Sequence, residues 1–352
     1  MKTEELTKEI NRIPITRLTA LWALSESMLG GLLHAAHVPF RGMIISSAAV
    51  IIICLIAHFA ERKGEILKAT IIVLLIKAAI SPYTPVAAYG SVFLQGILGE
   101  AFFFSKRFYA ISSMMLGLVV GILTGLQRLI TLTLIFGITF WDAINQFLNY
   151  VIKEFFISST ETSAFNFSLV LMGLYILIHL LFGFAAGLFA SKMPAKINSE
   201  EAKDMIVSEL NFFNSRESEG VRKTKHRLWW RKPSYILSFI FSVGLLIISY
   251  TNPQAINLNK NSIIVMLIRS ILIMLIWFYF LSPILLTTIK RSLNKRQNEY
   301  ANEITRMINH FPIYKNAAAV IWRLSAKYNG FRRLNYFIVT LIINVLTLKF
   351  PE

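Results

Sequence analysis

Apolar runs of bilayer-crossing length recur along this chain, and that feature restricts the fold more than any other. Roughly 18 to 20 apolar residues cross the hydrocarbon core as a helix, and several runs here approach or exceed that length. In lipid every backbone N–H and C=O must be paired within the chain, which leaves helices or closed barrels. The runs are continuous rather than alternating, which argues against a barrel. The expected fold class is therefore all-α, a polytopic integral membrane protein. Composition agrees: the 352 residues are 55% hydrophobic and only 16% charged, and mean hydropathy is +0.58. That is too apolar for an ordinary soluble domain.

The formal net charge of +17 invites a nucleic-acid reading, but its placement argues for a lipid bilayer as the partner. With nine helices laid out in order, about 29 of the basic residues fall on one side, the positive-inside pattern. Nucleic acid is not an expected partner. The N-terminus is expected on the cytoplasmic side, the setting being a bacterial inner membrane. The first dozen residues are charged and polar, and no cleavable signal peptide is apparent. The lone cysteine, Cys54, excludes an intrachain disulfide.

In order, the chain starts with a short amphipathic segment over 1–15. Six membrane helices are expected at about 16–36, 43–59, 66–80, 88–104, 108–136 and 165–190. The fifth is too long for one straight crossing and is expected to bend, tilt or re-enter near Gln127. Residues 139–163 mix aromatic and polar groups and suit an interfacial helix. Composition then breaks: residues 191–234 hold ten Lys or Arg and end in HRLWWRKPS. The expected domains are a membrane domain over 1–192, a basic cytoplasmic linker over 193–234, and a second membrane domain over 235–352. The second has membrane helices at about 235–250 and 262–289, two surface helices over 291–333 split near Phe311–Pro312, and a last membrane helix at 334–348.

The first helix carries the most unusual pattern. Thr19, Ala23, Ser27, Gly31 and Ala35 recur every four residues, so on a straight α-helix they stack on one face. In lipid, small residues let backbones approach closely, which makes Ala23, Ser27 and Gly31 candidate docking residues. A second ladder, Gly117, Gly121 and Gly125, follows in the fifth helix, and Gly183 and Gly187 precede Ser191 in the sixth. Plain helix packing is the simplest reading of these.

Ionisable groups inside the apolar runs need partners or a cavity, because a lone charge at the bilayer centre costs roughly 2.5 to 3.5 kcal/mol or more. Glu26 and Lys77 are expected either to form a structural ion pair or to line a polar binding cavity, and both readings can hold together. Glu100, nearer the basic side, reads as structural. The candidate substrate-binding set is Glu26, His34, Lys77, Gln95, Gln127 and Arg128. His34 and His37 are three apart, but two histidines without a third ligand make a poor metal site. No metal, cofactor or catalytic residue is expected. HExxH, CxxC, GxSxG and the phosphate-binding GxxxxGK[ST] are all absent from the sequence, and the chain does not read as an enzyme.

The first-helix ladder, the VPFRGM turn, the loop before LKATIIVLLIKAAIS and the SPYTPVAAYGSVFLQGILG segment resemble substrate-binding S components of energy-coupling factor (ECF) transporters. The nearest branch is the one sometimes labelled heptaprenyl diphosphate synthase component I. The resemblance covers about residues 16–192. It implies six helices holding a small micronutrient near the outer side, with the Ala23–Ser27–Gly31 face docking on a transmembrane T component. The stretch FPIYKNAAAVIWRLSAKYNGFRRLNYFI more weakly resembles the end of a T component, whose coupling helices dock on ATPase subunits. Carried over, that role falls to Trp322, Arg323, Lys327, Gly330, Arg332 and Arg333. The family's Ala-Arg-Gly-like motif corresponds here to Ala326-Lys327-Tyr328-Asn329-Gly330, without the Arg-Gly pair.

The leading expectation is thus ECF-type uptake of a small solute, such as a vitamin, driven by separate ATPase subunits. One alternative is a membrane enzyme or accessory factor acting on prenyl or other lipid phosphates, although no paired acidic motif for Mg²⁺ is seen. A second is a membrane scaffold that recruits soluble proteins through residues 195–233 and 291–333.

Overall fold

The computed structural model describes residues 2–35, 37, 40–81, 84–155, 166–197, 199, 267, 270, 273 and 282–347. Every regular element among them is helical. Helix α1 spans Lys2–Leu24, a π-helical turn occupies Ser25–Leu29, and α2 continues over Gly30–Ala35. There follow α3 (Arg41–Phe59), α4 (Glu65–Ile80), α5 (Val86–Phe102), α6 (Tyr109–Phe136), α7 (Ile138–Phe155) and α8 (Phe167–Ile197). The C-terminal part supplies α9 (Ser282–Asn309), α10 (Phe311–Leu324) and α11 (Gly330–Thr347). Three of these helices, α3, α6 and α8, are long and apolar enough to cross a membrane, and α5 is a shorter apolar helix. The expected helix over 235–250 and most of that over 262–289 lie outside the described residues.

Two compact units result, one from the described residues of Met1–Leu126, Ile176–Ser215 and Leu281–Glu352, the other from those of Gln127–Tyr175 and Arg216–Phe280. In the first unit α3 is the central helix. Every residue from Ala49 to Ala57 is buried, as expected of a helix that is apolar all round. Small residues set the spacing around it. Gly96 lies against Thr70 of α4, and Gly99 against Ile53 of α3 and Ile66 of α4. Helices α6 and α8 approach more closely still. A Cβ on Gly117 would strike the Gly183 carbonyl oxygen, and one on Gly121 would lie 2.5 Å from that of His179. The two glycine ladders are therefore a mutual packing seam.

The second unit holds the end of α6, α7 and the start of α8. The Trp141 Nε1–H donates to Thr133 Oγ1 at 2.8 Å, tying α7 back to α6. Asn145 Oδ1 accepts from the Phe167 N–H at 2.7 Å, and Asn166 Oδ1 from the Leu169 N–H at 3.2 Å. Both satisfy amides that the start of α8 leaves without helical partners.

Four expectations change. The segment over 2–15 does not precede the first helix but forms its start, with Pro14 inside α1. Helix α6 runs 28 residues through Gln127 without a break, which removes the re-entrant alternative and leaves a tilt; no proline or glycine interrupts Gln127–Phe136. Residues 193–197 of the expected linker belong to α8, and most of the rest lies outside the described residues. The helix at 334–348 does not cross the bundle.

That last point rests on where its ends are tied. The Arg17 Nη1–H donates to Leu346 O at 2.5 Å, and the Lys196 ammonium to Asn335 Oδ1 at 3.3 Å. Pairing of Glu26 with Lys77 sets α1 beside α4 so that Arg17 is about level with Lys68, in the first turn of α4. Lys68 in turn pairs with Glu303 of α9 at 2.9 Å. The last turns of α9, with α10 and α11, thus lie against one end of the bundle, where the basic residues gather. Ile304, Met307, Phe311 and Tyr314 join the same buried cluster as Ile15 and Leu18.

Overpacking a tight core costs about 1 to 3 kcal/mol, and backbone-to-backbone contact leaves little room to relax. Gly183→Leu should lower the thermal midpoint of the detergent-solubilised protein clearly. Gly90→Ala should leave it unchanged or slightly raised, since nothing lies within 4 Å of its Cβ position. Equal midpoints for the two variants would contradict the seam.

Candidate functional site

The polar centre of the first unit is built on the π-helical turn. The Ser25 hydroxyl donates to Trp22 O at 2.8 Å, taking up a carbonyl that the helix ladder would otherwise use. The Gly30 N–H reaches back to Ser25 O, the five-residue bond of a π-turn, a form frequent at functional sites. Glu26 sits in this turn, 8% exposed, and Lys77, 4% exposed, lies near the end of α4. The Lys77 ammonium donates to Glu26 Oε2 at 2.6 Å. The ion-pair reading of these two residues is what the structure shows.

The pair does not use all its capacity. Among the described residues, Glu26 Oε1, Ser27 Oγ, Gln95 Oε1 and Trp22 Nε1 are buried without hydrogen-bond partners. Trp22 stands one turn before Glu26 and is fully buried. Each such group costs roughly 1 to 3 kcal/mol if left unpaired, so the concentration of three of them over Trp22–Ser27 is unusual. The signal for Trp22 in the sequence is its place four residues before Glu26 in an apolar run.

The remaining expected binding residues are dispersed. Gln95 is buried on α5; the register set by Thr70–Gly96 and Ile66–Gly99 puts it about level with Ile71, below Lys77. His34 lies on α2. Gln127 and Arg128 are exposed on α6 and belong to the second unit; Arg128 is within electrostatic reach of Tyr175. Among the described residues no cluster of three His, Cys, Asp or Glu could hold a metal.

The docking ladder is not a single face. A π-turn inserts one residue, which rotates the remainder of the helix by about 100°. Ala23 is fully buried and Ser27 half-buried, whereas Gly31 is exposed with nothing within 4 Å of its Cβ position. Gly117, Gly121 and Gly125 are buried in the α6–α8 seam.

Glu100 caps α4: Oε1 accepts from the Gly64 N–H at 2.5 Å and Oε2 from the Leu67 N–H at 3.4 Å. A carboxylate there also meets the positive end of the helix dipole. Arg17 plays the opposite part at the last turn of α11, a role its position at the foot of the first apolar run did not reveal. Beside Arg17, burial pushes the Tyr314 phenol upward, and His310 is held below its ordinary value by burial, then by Arg17 and Arg306.

The residues carried over as coupling positions cluster at the α10–α11 turn. Trp322, Arg323, Lys327, Gly330 and Arg332 are exposed, and Arg333 is half-buried. Gly330 has φ +54, which favours glycine. No family model, curated protein or solved structure matches the chain.

Removing one partner of a buried ion pair typically costs about 3 to 5 kcal/mol, whereas replacing both can be nearly neutral. Lys77→Met and Glu26→Gln should each destabilise the detergent-solubilised protein, and the double variant should recover part of the loss. A strictly additive double variant in thermal unfolding would show that the two groups do not act together.

Proposed function

We propose that the protein is a membrane transport protein of the ECF type, taking up a small polar or anionic solute. The N-terminal bundle binds the solute, and separate ATPase subunits supply the energy. The observation that carries this reading is the buried Glu26–Lys77 pair with its unpartnered neighbours. A purely structural pair would satisfy its remaining groups within the chain. Here a carboxylate oxygen, a hydroxyl and an indole N–H are each buried without a partner within six residues of one helix, in or just before its π-turn, and such groups can fix the orientation of a small polar ligand in an otherwise apolar site. The absence of a GxxxxGK[ST] motif from the sequence supports placing ATP hydrolysis on other subunits.

The docking element in this reading is the exposed end of the first helix. Ala23 already packs within the bundle, whereas Gly31 is exposed and open to a partner helix.

The reading is tested by affinity purification from the native membrane in mild detergent, with mass spectrometry of co-purifying proteins and small molecules. Wild type should retain ATPase subunits and a vitamin-sized compound. Lys77→Met should lose the compound and keep the subunits. Gly31→Leu, which meets open space in this chain, should keep the fold and lose the subunits. Recovery of wild-type chain alone would overturn the transporter reading.

A further inference from the structure

The turn between α10 and α11 is an exposed edge of cations and aromatic rings. The Arg333 guanidinium lies 4.2 Å from the Trp322 ring, with its Nε–H on Ser325 Oγ at 3.2 Å. Lys327 sits 4.8 Å from the Tyr336 ring and 5.2 Å from that of Tyr328. Arg323 and Arg332 are exposed, and no carboxylate side chain occurs between Glu303 and Glu352. Phe331, at 81%, is very widely exposed, and Trp322 is 46% exposed.

We propose that this edge is a binding site for anionic phospholipid headgroups. Three observations favour a bilayer surface over a soluble partner. First, the rigid guanidinium–indole stack and the tyrosine-flanked lysine pair amphipathic rings with cations, the composition found where protein meets headgroups. Second, Phe331 points a large apolar ring outward beside Arg332 and Arg333, where it can enter the acyl boundary. Third, Asn335, on the first turns of α11, is tied to Lys196 at the end of α8. Leu177, Leu181, Phe182 and Phe184 are exposed on that same helix, so the edge stands at the foot of a lipid-facing surface. The inference needs only the membrane reading and is independent of the solute.

The probe is phosphatidylglycerol, with phosphatidylcholine as the comparison, titrated into the full-length detergent-solubilised protein and counted by native mass spectrometry. Wild type should prefer phosphatidylglycerol, and inorganic phosphate should not compete. Each exposed arginine is worth about fivefold in affinity, so Arg323→Gln/Arg332→Gln should weaken phosphatidylglycerol binding by about 25-fold with the thermal midpoint unchanged. Phe331→Ser should weaken both lipids. Equal binding of the two lipids by wild type, or an unaffected double variant, overturns the proposal. Competition by inorganic phosphate would make the edge a soluble-anion site. Loss of a co-purifying ATPase subunit from the double variant, with phosphatidylglycerol binding intact, would make it a protein-docking surface; either result also overturns the lipid assignment.

Discussion

A buried ammonium–carboxylate contact fixes the first unit. Glu26 and Lys77 pair at 2.6 Å between two otherwise apolar helices. Smooth apolar surfaces, away from close-packed glycines such as Gly96 and Gly99, do not by themselves set longitudinal register sharply. A single buried charge pair does, since a displacement of even one turn strands both groups in a medium that solvates neither. The register of α1 on α4 depends on that contact. With α1 held beside α4, Arg17 comes level with Lys68, and that places the site where α11 can end and α9 can dock.

Helix termini at the basic end show the same economy. Glu100 reaches from α5 to cap the start of α4, and Arg17 reaches from α1 to a carbonyl at the end of α11. In both cases the side-chain charge opposes the helix dipole. These contacts join segments far apart in sequence, so the C-terminal helices are held by specific polar bonds as well as by burial of Ile304, Met307 and Phe311.

Much of this was legible in the residues, and the exceptions have local causes. The starts of α4 and α5 reflect apolar runs preceded by Gly64, at φ +89, and by Pro85, which interrupt helices by backbone chemistry. The ion pair was legible because two charges in apolar runs need one another. The glycine seam was legible as packing, but only its geometry shows that each ladder is the other's partner. The π-turn was not legible. A four-residue ladder presumes an unbroken α-helix, and the competition of Ser25 for the Trp22 carbonyl is a three-dimensional event. The position of α11 was missed because hydropathy reports only that a helix is apolar enough to be buried. Core and bilayer are equivalent by that measure, and Val339, Ile342 and Ile343 are buried in protein.

That equivalence bears on what the C-terminal helices can offer to other molecules. Helices α9 and α10 are amphipathic, and an amphipathic helix has one apolar face to use. Here that face is occupied by the chain's own bundle through Met307, Phe311 and Tyr314. A partner approaching α10 and α11 therefore meets the opposite side, where the groups on offer are arginine, lysine and the rings stacked on them. Such a surface selects its partner by negative charge first and apolar contact second, which is the order in which a headgroup layer presents them. A protein partner would have to supply the same sequence of chemistry, acidic groups outermost with an apolar recess behind for Phe331.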